Sequence, residues 1–100
     1  MKLYIPAIGD QLRLTADWTF TLYNERRNWG FANVMMLPHT HELKHTLPAG
    51  MVLKVDRIYI RSNHRDYDSI TFRVIGVKNA RFWVKLHDAN TIEYDHVPVQ

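Results

Sequence analysis

The stretch Ile70-Thr71-Phe72-Arg73-Val74-Ile75-Gly76-Val77-Lys78-Asn79-Ala80-Arg81-Phe82-Trp83-Val84-Lys85-Leu86 decides the fold. Ile70, Phe72 and Val74 alternate with Thr71, Arg73 and Ile75. Phe82, Val84 and Leu86 alternate with Arg81, Trp83 and Lys85. A period of two sends one set to the buried face of a strand and the other to its outer face. The polar pair Lys78-Asn79 separates the two runs, so they read as a hairpin.

The same period extends outward. Leu12 and Leu14 flank Arg13, and Trp18, Phe20 and Leu22 alternate with Thr19, Thr21 and Tyr23, residue types that suit a pleated, half-buried surface. Between Met51 and Arg61 the phase breaks. Leu53 and Val55 share one face, but Ile58 and Ile60 fall on the other unless an extra residue intervenes, which predicts a bulge near Asp56 and Arg57. Ser62 to Ser69 offers no core residue except Tyr67 and reads as the loop of an earlier hairpin. His87 to Asn90 reads as a turn or single helical turn, followed by a short strand from Thr91 to Tyr94. Helical periodicity is not sustained over ten residues anywhere; the best candidate is a short piece between Pro38 and Pro48. The expectation is an all-β fold, a small SH3-like or OB-like barrel of five to six short strands, with Asn24 to Ala49 as one long irregular insertion.

With 100 residues, 46% of them apolar, the chain reads as a single domain spanning residues 1–100 with a real core. The absence of cysteine excludes disulfides, thiolate zinc sites and thiol nucleophiles. Met1 to Asp10 contains one lysine and no long apolar run, and nothing approaches the roughly 18 apolar residues of a membrane span. A soluble, cytoplasmic protein is expected. Gly9, Gly30, Gly50 and Gly76 are too widely separated for a phosphate-cradling loop, which argues against nucleotide hydrolysis. Asp66 and Asp68 with His64, or Ser62 and Ser69 near it, lack the scaffold of an acid/base pair or a nucleophile elbow.

The run Leu47-Pro48-Ala49-Gly50 leading into Leu53-Lys54-Val55-Asp56-Arg57-Ile58-Tyr59-Ile60-Arg61 is one part of a resemblance. Tyr67 to Phe72 and Arg81 to Leu86 are the others. Together they resemble small uncharacterised β-rich proteins of bacteriophages and mobile elements, over the C-terminal half of the chain. The resemblance implies a setting, an accessory or host-directed binding protein in the host cytoplasm, and no catalytic residue.

His41-Glu42-Leu43-Lys44-His45 matches H-E-x-x-H, in which two imidazoles one helical turn apart bind zinc and the glutamate activates water. That chemistry needs a rigid helix. Pro38 and Pro48 confine any helix here to a length that is marginal without strong packing. His39 adds a third imidazole, so His39, His41 and His45 are the alternative metal set, against a main reading with no catalytic residue, metal or cofactor.

Charge points elsewhere. Net charge is +3, yet Lys54 to Lys85 holds eight basic residues (Lys54, Arg57, Arg61, Arg65, Arg73, Lys78, Arg81, Lys85) against three acids (Asp56, Asp66, Asp68). Alternation places Arg81, Trp83 and Lys85 on the outer face. Arg73 and Thr71 lie beside them, and the bulged strand adds Arg57, Tyr59 and Arg61. The segment Asn24-Glu25-Arg26-Arg27-Asn28-Trp29-Gly30 repeats the theme on a turn, with Arg26, Arg27 and Trp29 as further candidates. Arginine and tryptophan together suit protein hot spots and also the stacking surfaces of single-strand nucleic-acid binders. Met35-Met36-Leu37 reads as a cap on the core, and Trp18 as core filling. The sequence therefore predicts a non-enzymatic binding module for an acidic macromolecule, a protein before a nucleic acid, acting as monomer or homodimer and able to inhibit by occlusion. A small zinc hydrolase is the rival of a different class.

Overall fold

The computed structural model describes residues 7–39, 42–60 and 68–98. Strands form wherever apolar and polar side chains alternate: β1 (Gln11–Leu14), β2 (Trp18–Tyr23), β3 (Glu42–Leu47), β4 (Val52–Tyr59), β5 (Ser69–Val74), β6 (Arg81–Lys85) and β7 (Tyr94–Val97). A 3-10 turn, Arg26–Asn28, runs into helix α1 (Trp29–Val34), and a single-turn helix α2 (Leu86–Ala89) follows β6. With 47% of the described residues in strands against 16% in helices, the fold is of the all-β class.

Among the described residues, two sheets enclose one core. The larger has the order β6-β5-β4-β1-β7, and the smaller pairs β2 with β3. All of these pairings are antiparallel. The sheets do not close on each other. Inward residues of the large sheet, Leu12, Leu14, Leu53, Val55, Ile70, Phe72, Val74, Phe82 and Val84, meet Trp18, Phe20, Leu22 and Leu47 of the small one, with Phe31 of α1 between them. Phe82 is the centre of this contact, stacked on Phe20 at 5.1 Å and tilted against Phe31 at 4.4 Å. Such aromatic pairs contribute about 0.5–1.5 kcal/mol each beyond the area they bury. Trp18 fills the core and its indole N–H donates to Asp88 O and Thr91 Oγ1, both at 3.1 Å. Met35 and Leu37 cap the core, while Met36 is exposed and holds a positive φ of 56°.

The phase break in β4 is a bulge. Val55 pairs with Phe72 and Arg57 with Thr71, so Asp56 is the extra residue. Beyond it Ile58 pairs with the buried Ile70, while Arg57 and Tyr59 face outward. One inserted residue thus keeps the apolar side of both halves of β4 on the core. β5 and β6 form the expected hairpin, with Arg73 opposite Arg81 and Thr71 opposite Trp83. Its turn uses the left-handed region at Gly76 (φ 86°) and Asn79 (φ 64°).

Three expectations need correction. The chain between Pro38 and Pro48 is not a short helix: Glu42–Leu47 is a strand, with Leu43, His45 and Leu47 inward and Glu42, Lys44 and Thr46 outward. Its register on β2 is fixed at one end by Trp18 opposite Leu47 and by the 2.7 Å hydroxyl pair Thr19–Thr46. The stretch from Asn24 to Ala49 is therefore no irregular insertion, because it supplies α1 and half of the second sheet, and the strands among the described residues number seven. The last strand starts at Tyr94 and not at Thr91. Thr91 continues the α2 turn instead, its hydroxyl and amide both donating to Asp88 O at 2.7 and 3.1 Å, and Ile92 is buried against the core. Most of the Ser62–Ser69 loop lies outside the described residues. No helix among the described residues is long and apolar enough to cross a membrane.

Candidate functional site

The outer face of β4, β5 and β6 is built in cross-strand rows. Arg57, Thr71 and Trp83 form one row, Tyr59, Ser69 and Lys85 the next, and Lys54, Arg73 and Arg81 a third. Register alone brings Arg57, Tyr59, Arg73, Arg81, Trp83 and Lys85 together, and the bulge is what puts Arg57 and Tyr59 on this side. Arg61 lies outside the described residues. The extra residue of the bulge supplies the counter-charge: Asp56 Oδ2 lies 2.7 Å from Arg81 Nε and 3.6 Å from Arg73 Nη2.

Trp83 points away from the core but is half-buried, because the end of β2 and the 3-10 turn roof it over. The Tyr23 ring stacks on the indole at 5.3 Å and 3°, and the Arg27 guanidinium lies over the indole at 5.3 Å. Lys85 Nζ in turn sits 5.1 Å from the Tyr23 ring centre. Trp83 Nε1 is buried with no acceptor among the described residues, a defect that costs about 1–3 kcal/mol in general.

Asn28 holds the roof in place. It is 1% exposed. Its side-chain oxygen accepts from the Trp83 amide at 2.8 Å, and its Nδ2 donates to Tyr23 O at 3.1 Å and Trp83 O at 3.4 Å. One amide side chain thereby satisfies backbone groups of β2 and β6 together, as a neighbouring strand would. The immediate sequence neighbour, Arg27, is delivered onto Trp83.

Arg27, Arg57, Thr71, Arg81 and Trp83 line a cleft of about 120 Å³. Past Arg27 and Arg81 it continues into a groove of about 400 Å³, bordered by Gly30, Asn33, Val34, Arg73 and Asn79. A Cβ on Gly30 would stand 3.3 Å from Asn79 O, so glycine lets α1 approach the β5–β6 turn closely. Four arginines border cleft and groove, and two carboxylates answer them: Asp56, and Glu25, which takes Arg27 Nε at 2.6 Å. Arg57 has no ion-pair partner among the described residues. Arg27 and Arg81 are 61% and 46% exposed, so their pairs are of the solvated kind worth about 0–1 kcal/mol and yield readily to a competing anion.

Trp29 and Arg26 do not join this cleft. Trp29 is 44% exposed; its indole donates to Asn24 Oδ1 at 2.9 Å and its ring stacks on His39 at 5.8 Å. Arg26 is exposed on the same turn. The H-E-x-x-H spacing falls on β3, where Glu42 and His45 occupy opposite faces. His45 faces inward, edge-on to Phe20 and Phe31 at 5.8 Å each, and burial lowers its pKa below the usual 6.5. His39 is exposed, with Nε2 3.0 Å from Asn33 Oδ1, and His41 lies outside the described residues. The helix that zinc hydrolysis requires of this motif is absent, and no group of three metal-ligating side chains gathers among the described residues. Sequence reasoning missed Tyr23 and Asn28. Tyr23 was detectable as the last outward position of an alternating strand, whereas nothing in the sequence marks Asn28. Comparison with known proteins finds no matching family model, no matching curated protein and no matching solved structure.

Proposed function

We propose that this protein is a non-catalytic binding module that docks on an acidic protein through the outer face of β4–β6 and the roof of the 3-10 turn. The observation that carries this reading is the convergence of Arg27, Arg57 and Arg81 on one cleft beside a half-buried tryptophan, with fewer carboxylates than guanidiniums around it. Guanidinium forks suit carboxylates, and arginine with tryptophan is typical of the residues that dominate protein interfaces. A base-stacking nucleic-acid surface is less well supported, because Tyr23 and Arg27 already occupy the Trp83 ring. The SH3-like or OB-like barrel belongs to this reading. It is supported by short antiparallel strands around one core, and the resemblance to bacteriophage proteins adds a host cytoplasm as the setting.

The test starts from capture of partners from a bacterial lysate, followed by titration of the purified dominant species against the protein. The expected result is an acidic protein whose affinity falls about tenfold or more in Arg81→Glu and weakens steeply with salt. An affinity for that species unchanged in Arg81→Glu, or an oligonucleotide that binds more tightly than any captured protein, would sink the proposal.

A further inference from the structure

Within that face, which this inference takes as the docking surface, we infer that the cleft between Arg27, Arg57 and Arg81 is an oxyanion seat for a single carboxylate of the partner, a glutamate or aspartate side chain entering from the adjoining groove.

Three independent elements meet there. Arg27 comes from the 3-10 turn, Arg57 from the position after the bulge in β4, and Arg81 from the start of β6. Guanidiniums repel one another, so three around about 120 Å³ are a costly arrangement unless negative charge lies between or behind them. Asp56 provides part of it, paired with Arg81 and Arg73, and is not among the residues lining the cleft. Glu25 meets Arg27 at Nε, at 2.6 Å. Arg57 is bound to no carboxylate among the described residues. On the cleft's floor Thr71 is nearly buried, lies between Arg57 and Trp83 in register, and its hydroxyl has no hydrogen-bond partner among the described residues. A carboxylate entering the cleft therefore meets a bare guanidinium, two further forks and a hydroxyl donor, the donor-only set that an acceptor-only group needs.

The surroundings favour a carboxylate on a peptide over a phosphate on a nucleic acid. Beside the cleft, the Trp83 ring is occupied by Tyr23 and Arg27, so no base stacks there. The groove that continues from it offers the amides of Asn33 and Asn79 and the side chain of Val34, groups that hydrogen-bond and cover an extended peptide.

The seat is tested without the partner, so that its failure and the failure of the wider reading are distinguishable. Blocked glutamate (acetyl-glutamate amide), inorganic phosphate and hexathymidylate are titrated separately while the arginine Nε–Hε and backbone amide resonances are followed. Blocked glutamate should shift Arg57, Arg27 and the Thr71 amide saturably, with a dissociation constant on the order of 10 mM. Arg57→Ala should weaken it about tenfold and Thr71→Val, which keeps the shape, about threefold, whereas Arg13→Ala on β1, outside the residues that line the cleft, should leave it unchanged. The seat is overturned if no saturable shift occurs, if Arg57→Ala binds as well as the parent, or if phosphate or hexathymidylate binds about tenfold more tightly than blocked glutamate. A protein partner that binds Arg57→Ala undiminished likewise removes the seat while leaving the docking face in place.

Discussion

Two tryptophans lie near the turn that carries Arg26 and Arg27, and they differ in almost every physical respect. Trp83 is reached from across the fold: Tyr23 stacks on it, Arg27 covers it and Asn28 ties its backbone to β2. Trp29 comes two residues after Arg27 in the chain, yet it is exposed and held by Asn24 and His39 from its own neighbourhood. Proximity in sequence thus misassigns Arg27. The buried amide of Asn28 turns the chain so that the guanidinium before it belongs to the distant tryptophan. Of the two clusters, the first therefore joins two sheets.

That contrast can be broken by experiment. Asn28→Ala carries the largest expected effect, about 3 kcal/mol in urea unfolding, because it orphans buried backbone groups of both β2 and β6. A loss under about 1 kcal/mol would mean that the roof is held by something else. Trp83→Ala should cost about 2 kcal/mol, from the lost stack and half-buried area, and should increase the mobility of Tyr23 and Arg27 measured by relaxation. His45 lies on the inner face of β3 against Phe20 and Phe31, and its pKa is lowered by burial. The unfolded chain then binds a proton more readily than the folded one, so this contribution to stability is full above about pH 6.5 and is lost as pH falls through the folded value. Unfolding midpoints measured down the acid limb should show that slope in the parent and less of it in His45→Leu; identical slopes would show that His45 does not carry it. Trp29→Ala should change stability least, by about half a kcal/mol, since its partners are solvated. A cost matching that of Trp83→Ala would erase the distinction between the two clusters.

How far the sequence leads follows the same division. Regular alternation in Ile70–Val74 and Arg81–Lys85 gave the hairpin and its outer face, and the phase slip at Asp56 gave the bulge that turns Arg57 outward. β3 was legible too, since Leu43, His45 and Leu47 alternate with Glu42, Lys44 and Thr46. A histidine on the inner face hid it. Imidazole counts as polar in a pattern, but here it is placed edge-on to two phenylalanines, and H-E-x-x-H supplied a competing helical template. The cleft as a whole was not legible, because Arg27 reaches it through a tertiary hydrogen bond of its neighbour and not through any local period.

β6 is the outermost strand of the large sheet, and such a strand ordinarily offers its backbone to any extended chain that comes alongside. At Trp83 that opportunity is already taken, since one side-chain amide occupies both the N–H and the C=O. Sheet growth from this edge, whether by fibril formation or by capture of a foreign strand, has to evict Asn28 first.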